Sequence, residues 1–243
     1  MSELKGKVAI ITGAGTGIGK GISRALAGAG ADLVLASRNK ENLQKTKDEL
    51  KEYNSEVNII PTDITKEEEV ISLFRQTMDI FGHLDIMINN SGVSVGKSID
   101  ELSLQEWNQV VDLNLTGTFL CSREAMKIMK DQGGGRIVNI GSISGQMPRL
   151  NSAPYVATKF GIAGLTKATA LEGRGFGVAA SCVHPGNVAI ERRVFSESTQ
   201  DQEPMMSVDD IAKVVLTAIT LPPNVNMYEC ITLPVGQLYL GRG

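Results

Sequence analysis

The sequence predicts a doubly wound α/β fold of the Rossmann type, with about seven parallel strands in one sheet and helices on both faces. Three observations carry this. Short β-branched apolar runs alternate with longer amphipathic patterns along the chain, the rhythm of βαβ units. The runs are apolar at consecutive positions, as expected of strands covered on both faces. The first run passes at once into a glycine-rich turn and a helix, the context in which such turns hold phosphate.

Taken in order, Val8-Ala9-Ile10-Ile11-Thr12 reads as the first buried strand. Gly13-Ala14-Gly15-Thr16-Gly17-Ile18-Gly19 follows, then a helical pattern through Ile22, Ala25 and Leu26 to Gly28-Ala29-Gly30. Glycines there permit a tight turn and let backbone N–H groups approach a pyrophosphate, although such turns also serve packing alone.

Asp32-Leu33-Val34-Leu35-Ala36 is the second strand, and the residues after it bear on the cofactor. An NAD enzyme commonly carries an acidic residue there for the ribose 2′-hydroxyl. This chain has Ser37-Arg38-Asn39 instead, with no carboxylate to repel a phosphate. Arg38 can pair with a 2′-phosphate and Ser37 can add a hydrogen bond, which favours NADP(H) over NAD(H). Alternatively, Arg38 merely begins the polar helix that follows.

A third strand, Val57-Asn58-Ile59-Ile60, leads to Pro61-Thr62-Asp63-Ile64. Asp63 can accept from an adenine amino group or cap a turn, and Thr65 is expected to cap the next helix, through Val70 and Phe74. His83 reads as a loop residue. Ile86-Met87-Ile88 makes strand four and ends in Asn89-Asn90-Ser91-Gly92, at the carboxyl end of a strand, where open α/β sheets bind ligands. Asn90 and Gly92 are candidates to touch a cofactor, and Asn89 to pin the strand end.

A long helix is expected from Ser103 through Trp107, Val110 and Leu115 to Met129, with the amide of Asn114 among apolar residues and in need of a partner if buried. Gly133-Gly134-Gly135 ends it. Strand five, Arg136 to Ile140, runs to Gly141-Ser142, where a hydroxyl can donate to an oxygen on which charge develops.

Pro154 suits the start of a helix, which would put Tyr155 and Lys159 four residues apart on one face, neighbours at about 5–6 Å between Cβ atoms. An ammonium about 4 Å from a phenol favours the phenolate by about 4 kcal/mol at an effective dielectric near 20. That would make a phenol useful in acid–base chemistry near neutral pH. An ordinary amphipathic surface pair is the plainer alternative for Tyr-x-x-x-Lys.

Val178 to Val183 reads as strand six, closed by His184-Pro185-Gly186, with His184 structural. Residues from about 190 to 206 are expected to form a lid over the substrate. Arg192 and Arg193 are either anion-recognising or simply solvated, and Met205 and Met206 would suit an adaptable apolar wall. Ser207 looks like an N-cap for a helix from Val208 to Leu221, with Asp209 and Asp210 in its first turn. No repeat or linker breaks the chain, so residues 1–243 read as one domain.

Bulk composition narrows the function classes. The 243 residues are 42% hydrophobic and 21% charged, with a net charge of -3, which offers no general attraction for nucleic acid or an anionic membrane. Cys121, Cys182 and Cys230 lack metal-type spacing, so no metal site is expected. No apolar run approaches the roughly 20 residues of a membrane span. The N-terminus has no signal-peptide pattern, and a cytoplasmic protein with reduced thiols is expected.

Together these motifs make the chain resemble the short-chain dehydrogenase/reductase family over nearly its whole length. The resemblance rests on Thr12-Gly13-x-x-x-Gly17-Ile18-Gly19, on Asn89-Asn90-Ser91-Gly92 and on Asn114. It is completed by Ser142, by Tyr155-x-x-x-Lys159 and by Pro185-Gly186. It implies that Tyr155 is the acid–base, that Lys159 eases its deprotonation and holds the nicotinamide ribose, and that Ser142 polarises the carbonyl. It also implies that Asn114 anchors a water in a proton relay. The implied cofactor site comprises Gly13, Thr16, Gly17, Ile18, Ser37, Arg38, Asn39, Asp63, Ile64, Asn90, Gly92, Tyr155, Lys159, Pro185, Gly186 and Val188. Ser144, Met205 and Met206 are the candidates for substrate contact.

The implied activity is reversible reduction of a ketone or aldehyde by NADPH, in a homotetramer or homodimer. The alternatives are a 3-oxoacyl-[acyl-carrier-protein] reductase and a non-catalytic NADP-binding sensor or scaffold. Three departures from the family pattern stand out. Ser91 replaces an alanine, and Ile190 replaces the threonine whose hydroxyl would hold the carboxamide, leaving backbone groups at Val188 to orient the ring. The C-terminal Leu233-Pro234-Val235-Gly236 lacks the Asp-Gly-Gly ending typical of the acyl-carrier reductases.

Overall fold

The fold is built outward from the first apolar run. Val8–Thr12 forms β1 with every residue buried, because its alternate side chains enter two different cores. Ala9 and Ile11 pack with helices on one face of the sheet and Val8 and Ile10 with helices on the other. The computed structural model describes residues 3–191 and 203–238. Around β1 the strands are β2 (Asp32–Ser37), β3 (Val57–Pro61), β4 (Ile86–Asn89), β5 (Gly135–Ile140), β6 (Val178–Pro185) and β7 (Glu229–Thr232). They lie in the order β3-β2-β1-β4-β5-β6-β7, every neighbouring pair parallel.

Helices cover both faces. One layer holds α1 (Gly17–Gly28), α2 (Lys40–Glu49) and α7 (Val208–Thr220), contributing Ile22, Leu26, Leu43, Ile211 and Val215 to the first core. The other holds α3 (Glu67–Phe81), α5 (Gly117–Asp131) and α6 (Ala153–Gly173), with Leu73, Phe74, Leu120, Met129 and Ala170 in the second core. The strand order reverses between β1 and β4, and the crevice beyond the carboxyl ends of strands at such a point is where these sheets bind ligands.

Several expectations are sharpened or corrected. The long helix after Ser103 is interrupted: α4 (Leu104–Val111) and α5 are joined by a π-helical turn over Asp112–Thr116. Thr65 does not cap α3. That helix begins at Glu67 behind Lys66, and the Thr65 hydroxyl donates instead to Asp63 at 2.8 Å. Ser207 caps α7 as expected, in a reciprocal capping box with Asp210. Burial pushes the Cys121 thiol up to about 12 and the Cys182 thiol up to about 11, so both stay protonated at neutral pH. Among the described residues, no helix is long and apolar enough to cross a membrane.

Candidate active site

The turn after β1 is a cradle cut to glycine. Gly13 and Gly17 both have positive φ, 64° and 54°, which other residues rarely adopt. A Cβ on Gly19 would lie 2.3 Å from the Gly13 carbonyl oxygen, so α1 sits directly against the turn. Thr12 and Asn90 tie this turn to β4. The Thr12 hydroxyl accepts from the backbone N–H groups of Asn90 and Ser91 at 3.0 and 3.2 Å. The Asn90 side chain donates back to the carbonyls of Thr12 and Gly13 at 3.0 and 3.2 Å. Thr16 stands at the N-cap of α1 without a side-chain capping bond. The Gly17 N–H at this helix end donates to the Glu191 carboxylate at 3.0 Å. This end of α1 therefore takes an oxyanion, as the partial positive charge of a helix N-terminus favours.

From this cradle a cleft of roughly 830 Å³ follows the carboxyl ends of the strands. Ser37, Arg38, Asp63 and Ile64 line it beyond β2 and β3. Gly13, Thr16, Gly17, Ile18, Asn90 and Gly92 line it beyond β1 and β4. Ser142, Ser144, Tyr155, Lys159, Pro185, Gly186, Val188 and Ile190 line it beyond β5 and β6. Asp63 lines the cleft and caps its turn, accepting from the Thr65 N–H at 3.1 Å.

Pro154 falls in the first turn of α6, and the spacing predicted for Tyr155 and Lys159 holds. Lys159 is 4% exposed. Its ammonium donates to the Ile140 carbonyl at 2.7 Å and lies 5.5 Å from the centroid of the Tyr155 ring. A buried cation held by one neutral carbonyl retains donors and charge for the cleft it lines. Ser142 caps a short 3₁₀ turn over Ile143–Gly145, its hydroxyl oxygen accepting from the Ser144 N–H at 3.1 Å. That bond uses only an acceptor site and leaves the hydroxyl proton available to a ligand.

Asn114 lies one layer behind the cleft wall, fully buried in the π turn. Its side chain accepts from the Val93 N–H at 2.8 Å and donates to the Val93 carbonyl at 2.9 Å and to the Thr158 hydroxyl at 3.2 Å. It pins the loop after β4 to α6. Asn89 behaves as expected, buried and donating to Ser122 and Asn139.

Three candidates are displaced. Asn39 is not in the cleft wall; its side chain caps α2, accepting from the Asn42 N–H at 2.8 Å. Met206 is drawn into the core, 8% exposed, because it bridges to Val188 and exchanges backbone bonds with Asn187 and Ala189. Met205, beside it, does not line the cleft either. Most of the expected lid, including Arg192 and Arg193, lies outside the described residues. Other contributors were missed, among them Arg149 and Gln237. Arg149 lines the cleft and donates to the Asn187 side chain at 3.3 Å. Gln237 is buried and accepts from the Asn187 N–H at 2.8 Å, holding the Pro185-Gly186 loop from the far end of the chain. No local pattern marks either residue.

Comparison with known proteins points the same way as this geometry. The model of the short chain dehydrogenase family matches residues 7–201. An uncharacterised oxidoreductase of Staphylococcus aureus is 36% identical over 235 residues, covering 97% of this chain and 100% of that one. A metagenomic short-chain oxidoreductase solved in complex with NADP is 30% identical, with a TM-score of 0.86 over 96% of this chain and 99% of that one. Actinorhodin polyketide ketoreductase, solved with NADPH, is 29% identical, with a TM-score of 0.86 over 93% and 95%.

Proposed function

Because the chain belongs to the short-chain dehydrogenase family, whose members bind nicotinamide cofactors, we propose that it interconverts a carbonyl compound and its alcohol with NADP(H). The observation that supports this most is the meeting of Ser142, Tyr155 and Lys159 in one cleft with the glycine cradle. The cradle suits the cofactor's pyrophosphate, since the Gly17 N–H already donates to a carboxylate there, and Arg38 and Ser37 suit a 2′-phosphate. When bound, the nicotinamide supplies or accepts the hydride. Ser142 donates its hydroxyl proton in a hydrogen bond to the substrate oxygen. Tyr155 gives its proton to that oxygen as negative charge develops on it, and the Lys159 ammonium stabilises the phenolate left behind. Asn114 keeps the loop after β4 and the start of α6 in register around these groups.

NADPH consumption across a carbonyl panel tests this reading: β-ketoacyl thioesters, small diketones, aryl ketones, keto sugars and ketosteroids. Turnover of one class supports it. Silence across the panel with NADPH still bound would favour a cofactor-sensing protein instead.

Two binding predictions arise from the same cleft. Arg38→Ala is expected to weaken NADPH by about 10- to 100-fold, since a charge-assisted hydrogen bond contributes about 1.5–3 kcal/mol; screening at this exposed position favours the lower end. NADH should change little. Fluorescence titration of both cofactors measures this, and equal losses would refute the preference. Glu191→Gln is expected to tighten NADPH about two- to fivefold, because a charge at a helix end contributes about 0.3–1 kcal/mol and here occupies a donor the cofactor needs. Weaker binding in that variant would show that Glu191 does not compete.

A further inference from the structure

We propose that His184 and Glu229, neither of which touches the cleft, act as positioning residues that clamp both ends of the loop carrying Ser142. This rests on the role just proposed for Ser142.

The β5–β6 ladder ends at Ile140 and Val183, with one further bond from the Gly141 N–H to the Val183 carbonyl at 2.7 Å. Beyond it the chain leaves the sheet; the Ser142 carbonyl accepts from the Gly145 N–H at 2.8 Å within its own turn, and the tie from that turn back to the sheet is a side chain. The fully buried His184 places Nδ1 2.8 Å from the Ser142 carbonyl oxygen. Nδ1 can donate to that carbonyl or accept from the Ser142 N–H 3.3 Å away, and either bond ties the ring to the Ser142 backbone. The space for this ring exists because residue 141 is glycine: a Cβ there would lie 2.6 Å from His184 Nδ1.

The other edge of the imidazole faces Glu229 on β7. His184 Nε2 is 3.0 Å from Glu229 Oε1, a close polar contact set off the line of a directed hydrogen bond. Lys167 stands 3.4 Å from the other carboxylate oxygen.

Glu229 also closes the loop from its far end. The Gln146 side-chain amide donates to Oε1, and Gln146 is the residue that terminates the 3₁₀ turn after Ser142. Both ends of the turn thus converge on one carboxylate. Between them Gly145 lies against α6, where a Cβ would meet the Lys159 carbonyl at 2.8 Å. A loop so held keeps the Ser142 hydroxyl within the narrow range of geometry that transition-state donors require.

The chain has two histidines, so nitrogen NMR of histidine-labelled, NADPH-bound protein resolves His184, assigned by its disappearance in His184→Gln. The clamp requires a His184 signal that moves in Glu229→Gln. A signal unmoved by that substitution overturns it, whatever the enzyme's activity. On the best panel substrate, Glu229→Ala is expected to lower kcat about tenfold, with NADPH affinity within twofold of wild type. That loss should shrink in a Ser142→Ala background, because the two changes act through one hydroxyl. A kcat unchanged by Glu229→Ala, or an equal loss in both backgrounds, overturns the clamp. Full activity of Ser142→Ala overturns instead the role of Ser142, and a wild-type protein silent on every carbonyl overturns the proposed function; the NMR result then still decides whether the clamp exists.

Discussion

Tyr155→Phe is expected to lose about a hundred- to ten-thousandfold in kcat while binding NADPH within twofold of wild type. Positioned general acid–base groups contribute about that range, and this substitution removes the acid while keeping the ring. Tyr155 is half-buried in the cleft wall at the first turn of α6, a place set by Pro154 and by packing. The Lys159 ammonium is held by the Ile140 carbonyl rather than by the phenol oxygen, so it should stay in place. The cradle follows β1 and Arg38 follows β2, whereas Tyr155 lies at the start of α6. Steady-state turnover and a fluorescence titration separate the two quantities, and a Phe variant of near-normal rate would sink the mechanism. Loss of both turnover and binding would instead mark Tyr155 as a structural support of the cofactor site.

Gly19→Ala is expected to cost stability and cofactor binding together. The added methyl would lie 2.3 Å from the Gly13 carbonyl oxygen and 2.5 Å from the Asn90 side-chain nitrogen. Neither can yield freely. The carbonyl belongs to a turn with positive φ, and the Asn90 amide is tied to Thr12 and Gly13. Overpacking of this kind costs about 1–3 kcal/mol, or roughly 2–12 °C in Tm for a chain of this size. Because the displaced atoms are the cradle itself, NADPH affinity should fall at least about tenfold, which corresponds to about 1.4 kcal/mol. Gly164→Ala is the control. It lies in α6 with open space around it, so removing a helical glycine should leave binding unchanged and raise stability by about 0.5–1 kcal/mol. Equal behaviour of the two variants in melting and titration experiments would refute the packing argument.

Much of this site is legible along the chain because its parts are set by local rules. The glycine turn needs only a strand before it and a helix after it. Tyr155 and Lys159 meet because four residues span about one helical turn, and Ser142 reaches the same cleft because it follows directly on a buried strand. The capping box at Ser207 is equally local.

The residues whose roles the chain does not spell out share a different feature: those roles depend on partners remote in sequence or on an unexpected break in regular structure. Met206 looks like a pocket residue until its bridge to Val188 draws it inward. Asn114 reads as a polar residue in a long helix, yet the π turn aims it at Val93 and Thr158. Gln237 holds Asn187 from fifty positions away. His184 reads as structural, and only the pairing of β6 with β7 brings Glu229 to its edge.

By itself the sequence determined the succession of strands and helices along the chain, the glycine turn and the Ser142, Tyr155 and Lys159 set, since periodicity and short spacings act within a turn or two of chain. The tertiary structure alone decided which face Met206 takes, what Asn114 holds and what supports the Ser142 loop. Those contacts are made by segments the chain closes across long loops, and no local preference encodes which distant atoms will meet.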